Sequence, residues 1–317
     1  MEKENLKKGI IFGLMGTVIG SFNPIIANSR PMIIDAYLFA AMTVIVQALF
    51  FFPLMMVERK KLKSDFKNEI ITLERMDALL NGYKKNVPLL VFAGISFGLC
   101  FILFYIGYEL AGAINGNLVL KTTIFYSLFF DWIILREKIS IRQVIFSIIL
   151  FFGLFLAVTH GSFALLELNI GFIVLLSVAG IWMFTHAISK PMLDRKEISS
   201  IQLVCIRNFI SSIFLISTYF IFFPLENTEL LLNSTTMSWG ILMGSIYGIG
   251  LYMWYKTLEN INVSKATIIT SGNLIFTAIF ATVFLSEIFT IFHLLGTILI
   301  VISIFLIVNP MKNEKLI

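Results

Sequence analysis

The sequence predicts an all-α membrane protein with about ten transmembrane spans. Three observations lead there. Hydrophobic residues make up 58% of the 317 and charged residues only 14%, against about 45–50% and about 25% in soluble domains. The apolar residues gather into runs of about 20, the length a helix needs to cross a hydrocarbon layer of roughly 30 Å. The lysines and arginines fall almost entirely in every second gap between those runs. A net charge of +5 distributed in this way sets orientation in a bilayer and implies no nucleic-acid partner. Cys100 and Cys205 each lie inside an apolar run, and the chain has no CxxC or Cys/His cluster. Neither a disulfide framework nor a metal site is suggested, and no cofactor is expected.

The runs place spans at 10–28, 34–57, 87–110, 113–135, 139–158, 168–189, 199–224, 237–258, 263–285 and 289–308. The first is read as a retained helix rather than a leader, because no small-x-small cleavage pattern follows it and Asn23-Pro24 lies within it. Lys3, Lys7 and Lys8 precede span 1. Arg59, Lys60, Lys61, Lys63, Lys67, Arg75, Lys84 and Lys85 separate spans 2 and 3. Arg136, Lys138 and Arg142 follow span 4, and Lys190, Arg195 and Lys196 follow span 6. Lys256 and Lys265 flank the turn after span 8, and Lys312 and Lys315 close the chain. The opposite loops carry Arg30 alone. The positive-inside rule then puts both termini in the cytoplasm, in the plasma membrane of a prokaryote. The stretch 58–86 is longer and polar. Leu62, Phe66, Ile70, Leu73, Met76 and Leu80 recur there at three- and four-residue steps, and Asn81-Gly82 supplies a helix stop. It reads as a cytoplasmic amphipathic helix on the membrane surface, or else as a solvated loop with some helix.

An internal repeat organises the spans. Residues 94–141 align without a gap on 244–291: Gly94 faces Gly244, Gly98 faces Gly248, Tyr105 faces Tyr255, Glu109 faces Glu259, Leu135 faces Leu285, Glu137 faces Glu287 and Ile141 faces Ile291. Upstream, Phe50-Phe51-Phe52-Pro53 resembles Ile221-Phe222-Phe223-Pro224. The chain therefore divides into a first repeat, 1–160, with the insert near 58–86, and a second, 161–317. Five spans is an odd number, so successive halves lie in opposite orientations. Inverted repeats of this kind are a transporter device.

The stretch Tyr255 to Ala266, YKTLENINVSKA, followed by an apolar run ending in Leu285-Ser286-Glu287, resembles the second half of EamA-type permeases of the drug/metabolite transporter superfamily. Tyr105 to Asn117, then Leu135-Arg136-Glu137, repeats the pattern in the first half, and Trp182 and the Gly-rich span 1 also fit. The resemblance covers nearly the whole chain. It implies ten helices in two inverted five-helix repeats around a central cavity, and hence a permease for a small-molecule substrate. It does not specify that substrate. The proline common in the middle of spans 4 and 9 is absent, with Thr123 and Asn273 near those places. Arg207 has no charged counterpart in span 2, where the upstream match places Ala36.

Charge within a membrane is expensive, roughly 2.5–3.5 kcal/mol per residue on insertion scales, so Lys121, Asp131 and Arg207 are the first functional candidates. Asn117, Lys121, Ile124, Leu128 and Asp131 share one stripe of span 4. Lys121, near mid-depth, either holds an anionic or zwitterionic substrate group or pairs structurally. Arg207 either binds a carboxylate or phosphate bidentately or pairs with Asp131. Asp131 is also a candidate for proton or ion coupling. Thr267, Thr270, Asn273 and Thr277 form a matching stripe on span 9, as substrate contacts or as helix glue. Phe97, Phe101, Tyr105, Trp182, Tyr247 and Trp254 either line the cavity or pack. Glu137 and Glu287 match helix-end acids of the family, with structural or gating roles. His186 and His293 are packed, hydrogen-bonded residues or proton relays. The glycines of spans 1, 3 and 8 recur at four-residue steps and signal close helix contact. With no phosphate loop, hydrolase elbow or convergent catalytic cluster in the sequence, an enzyme is not expected. The expected partners are the substrate and the bilayer, with homo-oligomerisation open.

Overall fold

The computed structural model describes residues 2–136, 138–162, 169–222, 228–270 and 272–308. Among them the secondary structure is helical, without strands. The helices are α1 (Glu2–Gly20), α2 (Asn23–Ser29), α3 (Ala36–Lys67), α4 (Leu73–Asn81), α5 (Val87–Ala111), α6 (Ala113–Val119), α7 (Thr123–Ile134), α8 (Ile141–Val158), α9 (Ile170–Asp194), α10 (Ser200–Phe222), α11 (Thr228–Leu232), α12 (Ser234–Leu258), α13 (Val263–Thr270), α14 (Asn273–Leu285) and α15 (Ile291–Val308). Short polar side chains start them. Asp35 accepts from the Leu38 amide at 2.7 Å, Asn169 from Phe172, and Ser140 forms a capping box with Gln143.

Among the described residues, seven helical segments are long and apolar enough to cross a membrane: 4–29, 36–67, 73–111, 113–134, 141–158, 170–194 and 200–222. The expected spans 8 and 9 fall short of that measure for identifiable reasons. The helix α12 has 25 residues, but Gly240, Gly244, Gly248 and Gly250, with Ser238, Ser245 and several tyrosines and tryptophans, lower its mean hydropathy. Span 9 is divided into α13 and α14, both shorter than 18 residues, whereas span 10 is one apolar helix, α15, Ile291–Val308. Large apolar side chains such as Ile148, Phe152, Ile221 and Val283 point outward, as a lipid-facing surface requires.

Three spans are broken near their middles. Span 1 stops at Gly20 and restarts at Asn23, with Pro24 in the first turn of α2. That position needs no amide hydrogen, so proline starts a helix there rather than kinking one. Span 4 passes through a 3₁₀ turn at Leu120–Thr122, and span 9 changes helix between Thr270 and Asn273. The breaks in spans 4 and 9 occupy equivalent places in the repeat although neither carries a proline.

Packing follows the repeat. The helix α3 packs on α10, and α8 on α15. As α5 packs on α9 and α10, so α12 packs on α1 and α3; as α6 packs on α9, so α13 packs on α1. Exchanging α1, α3, α5, α6 and α8 for α9, α10, α12, α13 and α15 maps this set onto itself. The glycines that permit it are equivalent too. A Cβ at Gly94 would lie 2.6 Å from Ile210 and one at Gly244 2.6 Å from Val46, so each lets a helix of the other half approach closely. Gly20 departs from the glycine expectation, since nothing lies within 4 Å of its would-be Cβ. Another close crossing joins α8 and α15, where a Cβ at Gly296 would stand 2.5 Å from the Gly153 carbonyl.

The insert corrects the expectation of one surface helix. Span 2 simply continues as α3 to Lys67, 32 residues or about 48 Å. The chain turns at Glu69 with φ 57° and returns as α4. Arg59 ties the two together by donating to the Leu80 carbonyl at 3.0 Å, with Tyr83 beneath its guanidinium. Gly82 does not end α4 in a left-handed turn, since its φ is −60° and a 3₁₀ turn follows. Its lack of a side chain serves contact instead: a Cβ there would lie 2.6 Å from the Glu197 carbonyl. Asn86 donates to the Glu197 carboxylate at 2.8 Å, Arg195 does so at 2.9 Å, and Ser199 donates to Glu58 at 2.6 Å. The insert is thus latched to the α9–α10 loop.

Candidate functional site

The broken spans meet around a cavity of about 180 Å³. Lys121 sits in the 3₁₀ turn of span 4, 5% exposed, and its ammonium donates to Asn273 Oδ1 at the first residue of α14. The lysine thus reaches the other half of the chain, where Asn273 follows the equivalent break. Asn117 lies one turn before Lys121 and is 2% exposed, with no partner for Nδ2 among the described residues. Thr267 and Thr270 line the opposite wall, their hydroxyls bonded to carbonyls of their own helix. Trp182, His186, Tyr247 and Trp254 complete an aromatic side, and the indole Nε1 atoms of Trp182 and Trp254 have no acceptor among the described residues. Among the described residues the unpartnered buried side-chain atoms of the lining are thus three N–H donors, next to one ammonium, against one acceptor, Asn23 Oδ1, and His186 Nδ1, whose role depends on the tautomer. Such a surface suits a ligand rich in acceptor oxygens.

The structure brings together Lys121, Asn117, Thr267, Thr270, Asn273, Trp182, His186, Tyr247 and Trp254, and places Thr277, Tyr105, Arg207, Asp131 and Glu287 elsewhere. Thr277 donates to the Ser21 carbonyl at 3.2 Å and so glues α14 to the break in span 1. Tyr105 is fully buried, its hydroxyl bonded to Thr43 at 2.8 Å and its ring against Phe39. Arg207 is bonded to Tyr255 and Asn208 and does not pair with Asp131. Asp131 is buried on α7, outside the cavity wall. Glu287 accepts from the amides of Ala113 and Ile114 at 2.6 and 2.8 Å. A carboxylate of the second half thereby caps the first turn of α6, where amides lack partners and the helix dipole favours negative charge. Glu137 lies outside the described residues. His293 is held by Asn115 and Thr290, each at 3.0 Å, in keeping with the packed reading.

Some wall residues escaped the sequence reading. On α5 the lining pair is Phe104 and Tyr108 rather than Phe101 and Tyr105. The helix is apolar on all sides, so its periodicity says nothing about which face meets the cavity. Gly20 and Asn23 line it too; the Asn23-Pro24 pair was the available signal, because a proline at that depth marks a helix start.

The model of the EamA-like transporter family matches this chain twice, over residues 7–159 and 169–309. The chain belongs to that family. As an EamA-like protein it is a multi-pass membrane transporter of the drug/metabolite transporter superfamily. An uncharacterized transporter of Methanothermobacter thermautotrophicus is 24% identical over 305 residues, covering 94% of this EamA-like chain and 83% of its own. One protein crystal structure superposes with a TM-score of 0.65 at 11% identity, over 95% of this chain and 97% of that one. At that identity the likeness concerns the fold alone.

Proposed function

We propose that this chain is a secondary transporter that moves a small metabolite bearing an anionic group across a prokaryotic plasma membrane by alternating access. In this reading ten spans form two inverted five-helix repeats, 1–160 and 161–317, with both termini cytoplasmic, and the chain is not an enzyme. The observation that carries it is Lys121 at the meeting point of two equivalent helix breaks. Discontinuous helices leave backbone groups and side chains free to bind a substrate at mid-depth without exposing them to lipid. The ammonium has Asn273 as its partner, with no carboxylate on it among the described residues, so its charge remains for a ligand. Lys121, Asn117, Asn273 and Thr270 would hold the polar group, while Trp182 and Trp254 would cover the remainder. The exchange-symmetric packing supports rocking of one half on the other. The proton- or ion-coupling role of Asp131 and His186, and any homo-oligomer, belong to the same proposal as secondary features. Counterflow in liposomes, screened over organic anions, amino acids and nucleobases, tests it. Accumulation of a carboxylate or phosphate compound is expected, and counterflow of neutral or cationic compounds alone would refute the anionic assignment.

A further inference from the structure

Arg207 is a fully buried side chain on α10, seven residues from the helix start. Its guanidinium stacks on Phe97, 3.6 Å from the ring centroid, with the Tyr255 ring at 5.6 Å. Nη1 donates to the Tyr255 hydroxyl at 2.9 Å and Nη2 to Asn208 Oδ1 at 3.3 Å. Both partners are neutral. Nε, one prong of the guanidinium fork, has no acceptor among the described residues. Beyond it, Asn208 donates to Gln47 Oε1 at 3.0 Å, and Gln47 Nε2 is likewise without a partner among them. A permanent positive charge therefore sits among aromatic faces and excess donors at the junction of α3, α5, α10 and α12. Cation–π contact and two neutral hydrogen bonds orient the fork but do not neutralise it. Intramembrane cations without counter-charges mark ligand paths.

The site is close to the cavity but closed off from it. His186 lines the cavity, and its ring lies 5.2 Å from Phe97 and 5.5 Å from Tyr255, the two rings that enclose Arg207. The Phe97, His186 and Tyr255 rings thus stand between Arg207 and the cavity that Lys121 lines. Toward the N-terminal end of α10 the site is closed by Glu259, which accepts from the Ser200 amide at 3.0 Å, and by the Glu58–Ser199 bond. We propose that Arg207 is a second oxyanion station, which receives the carboxylate or phosphate group of the substrate from Lys121 when the Phe97–His186–Tyr255 layer parts. This rests on the reading of the Lys121 cavity as the transport site. A planar fork with a free prong suits a carboxylate or phosphate oxygen pair better than a spherical halide.

The test measures binding of inorganic phosphate and of chloride to the purified full-length protein by thermal shift, in a background where Lys121→Gln has disabled the central station. Saturable stabilisation by phosphate should persist there. Adding Arg207→Lys, which keeps the charge and removes the fork, should weaken it about tenfold or more, with the ligand-free melting temperature within about 2 °C of its parent. Unchanged phosphate affinity, or no phosphate binding once Lys121 is replaced, overturns the proposal. Chloride bound as tightly as phosphate makes this a halide site and overturns the oxyanion assignment. Where Arg207→Lys does not fold, phenylglyoxal modification of Arg207 in the unsubstituted protein decides. Protection by phosphate supports the station, and an equal extent with and without phosphate rejects it. Failure of the transport reading is separate, since the unsubstituted protein would then show no counterflow of any compound, whatever phosphate binds.

Discussion

Replacing Lys121 by alanine removes the ammonium from the cavity and leaves Asn273 Oδ1 without its donor. Transport should be lost while expression and melting behaviour stay near normal; a variant that transports at the parent rate would make the lysine structural. Lys121→Arg keeps the charge but substitutes a rigid fork for a compact head, so the substrate concentration at half-maximal uptake should move by about tenfold while uptake remains measurable. Both residues were visible as members of polar stripes on spans 4 and 9. That they touch was not, because stripe membership gives an angle about each helix axis and nothing about which stripes face each other. Arg207 shows the same limit. Its depth suggested a partner, and Asp131 was the available acid at similar depth, but the fold surrounds it with Phe97, Tyr255 and Asn208 instead.

The helices pack through glycines whose roles separate by what stands opposite. Gly296→Leu would drive a side chain into the Gly153 carbonyl of α8, and overpacking of this kind costs about 1–3 kcal/mol. The variant should melt several degrees lower in detergent. Gly20→Ala has open space before it and should melt like the parent, yet a methyl group there narrows the cavity, so uptake should fall. Equal melting temperatures for the two variants would contradict this division. The latch between the insert and the α9–α10 loop depends on pH. The Arg195 guanidinium, with Asn86, holds the Glu197 carboxyl below the usual carboxylate range. A carboxyl with a lowered folded value favours the latched state above its unlatched value, and that preference disappears as pH falls through the latched value. Hydrogen exchange at Gly82–Asn86 should therefore be slow at neutral pH and quicken as pH falls below the ordinary carboxylate value, and a rate independent of pH after correction for intrinsic exchange would count against the latch.

Across the whole molecule, the charge pattern predicts that a thiol placed at Lys63 is hidden from an impermeant reagent outside intact cells while one at Asn233 is reached; the reverse pattern would invert the topology. Alternating access predicts two trapped states. A short crosslinker between cysteines at Ala113 and Glu287, on opposite halves, should stop uptake and leave a cysteine at Thr270 accessible from one side. A crosslink between cysteines at Glu58 and Ser199 should stop uptake and leave it accessible from the other. Access from both faces in a single uncrosslinked state would indicate a pore.

The sequence by itself determined the helical class, the alternation of charged loops and the two-fold repeat, because span length, loop charge and repeat spacing are local or periodic properties that a linear chain displays. It also marked Lys121, since an ammonium at mid-depth is costly wherever the helix turns. The tertiary structure decided which faces meet. It broke spans 4 and 9 at equivalent places without proline, set Lys121 against Asn273, chose Phe104 and Tyr108 over Phe101 and Tyr105 for the wall, and carried span 2 onward into the latch. In helices apolar on every side the rotation about the axis is set by packing between small residues of other helices, and that information is distributed over both halves of the chain.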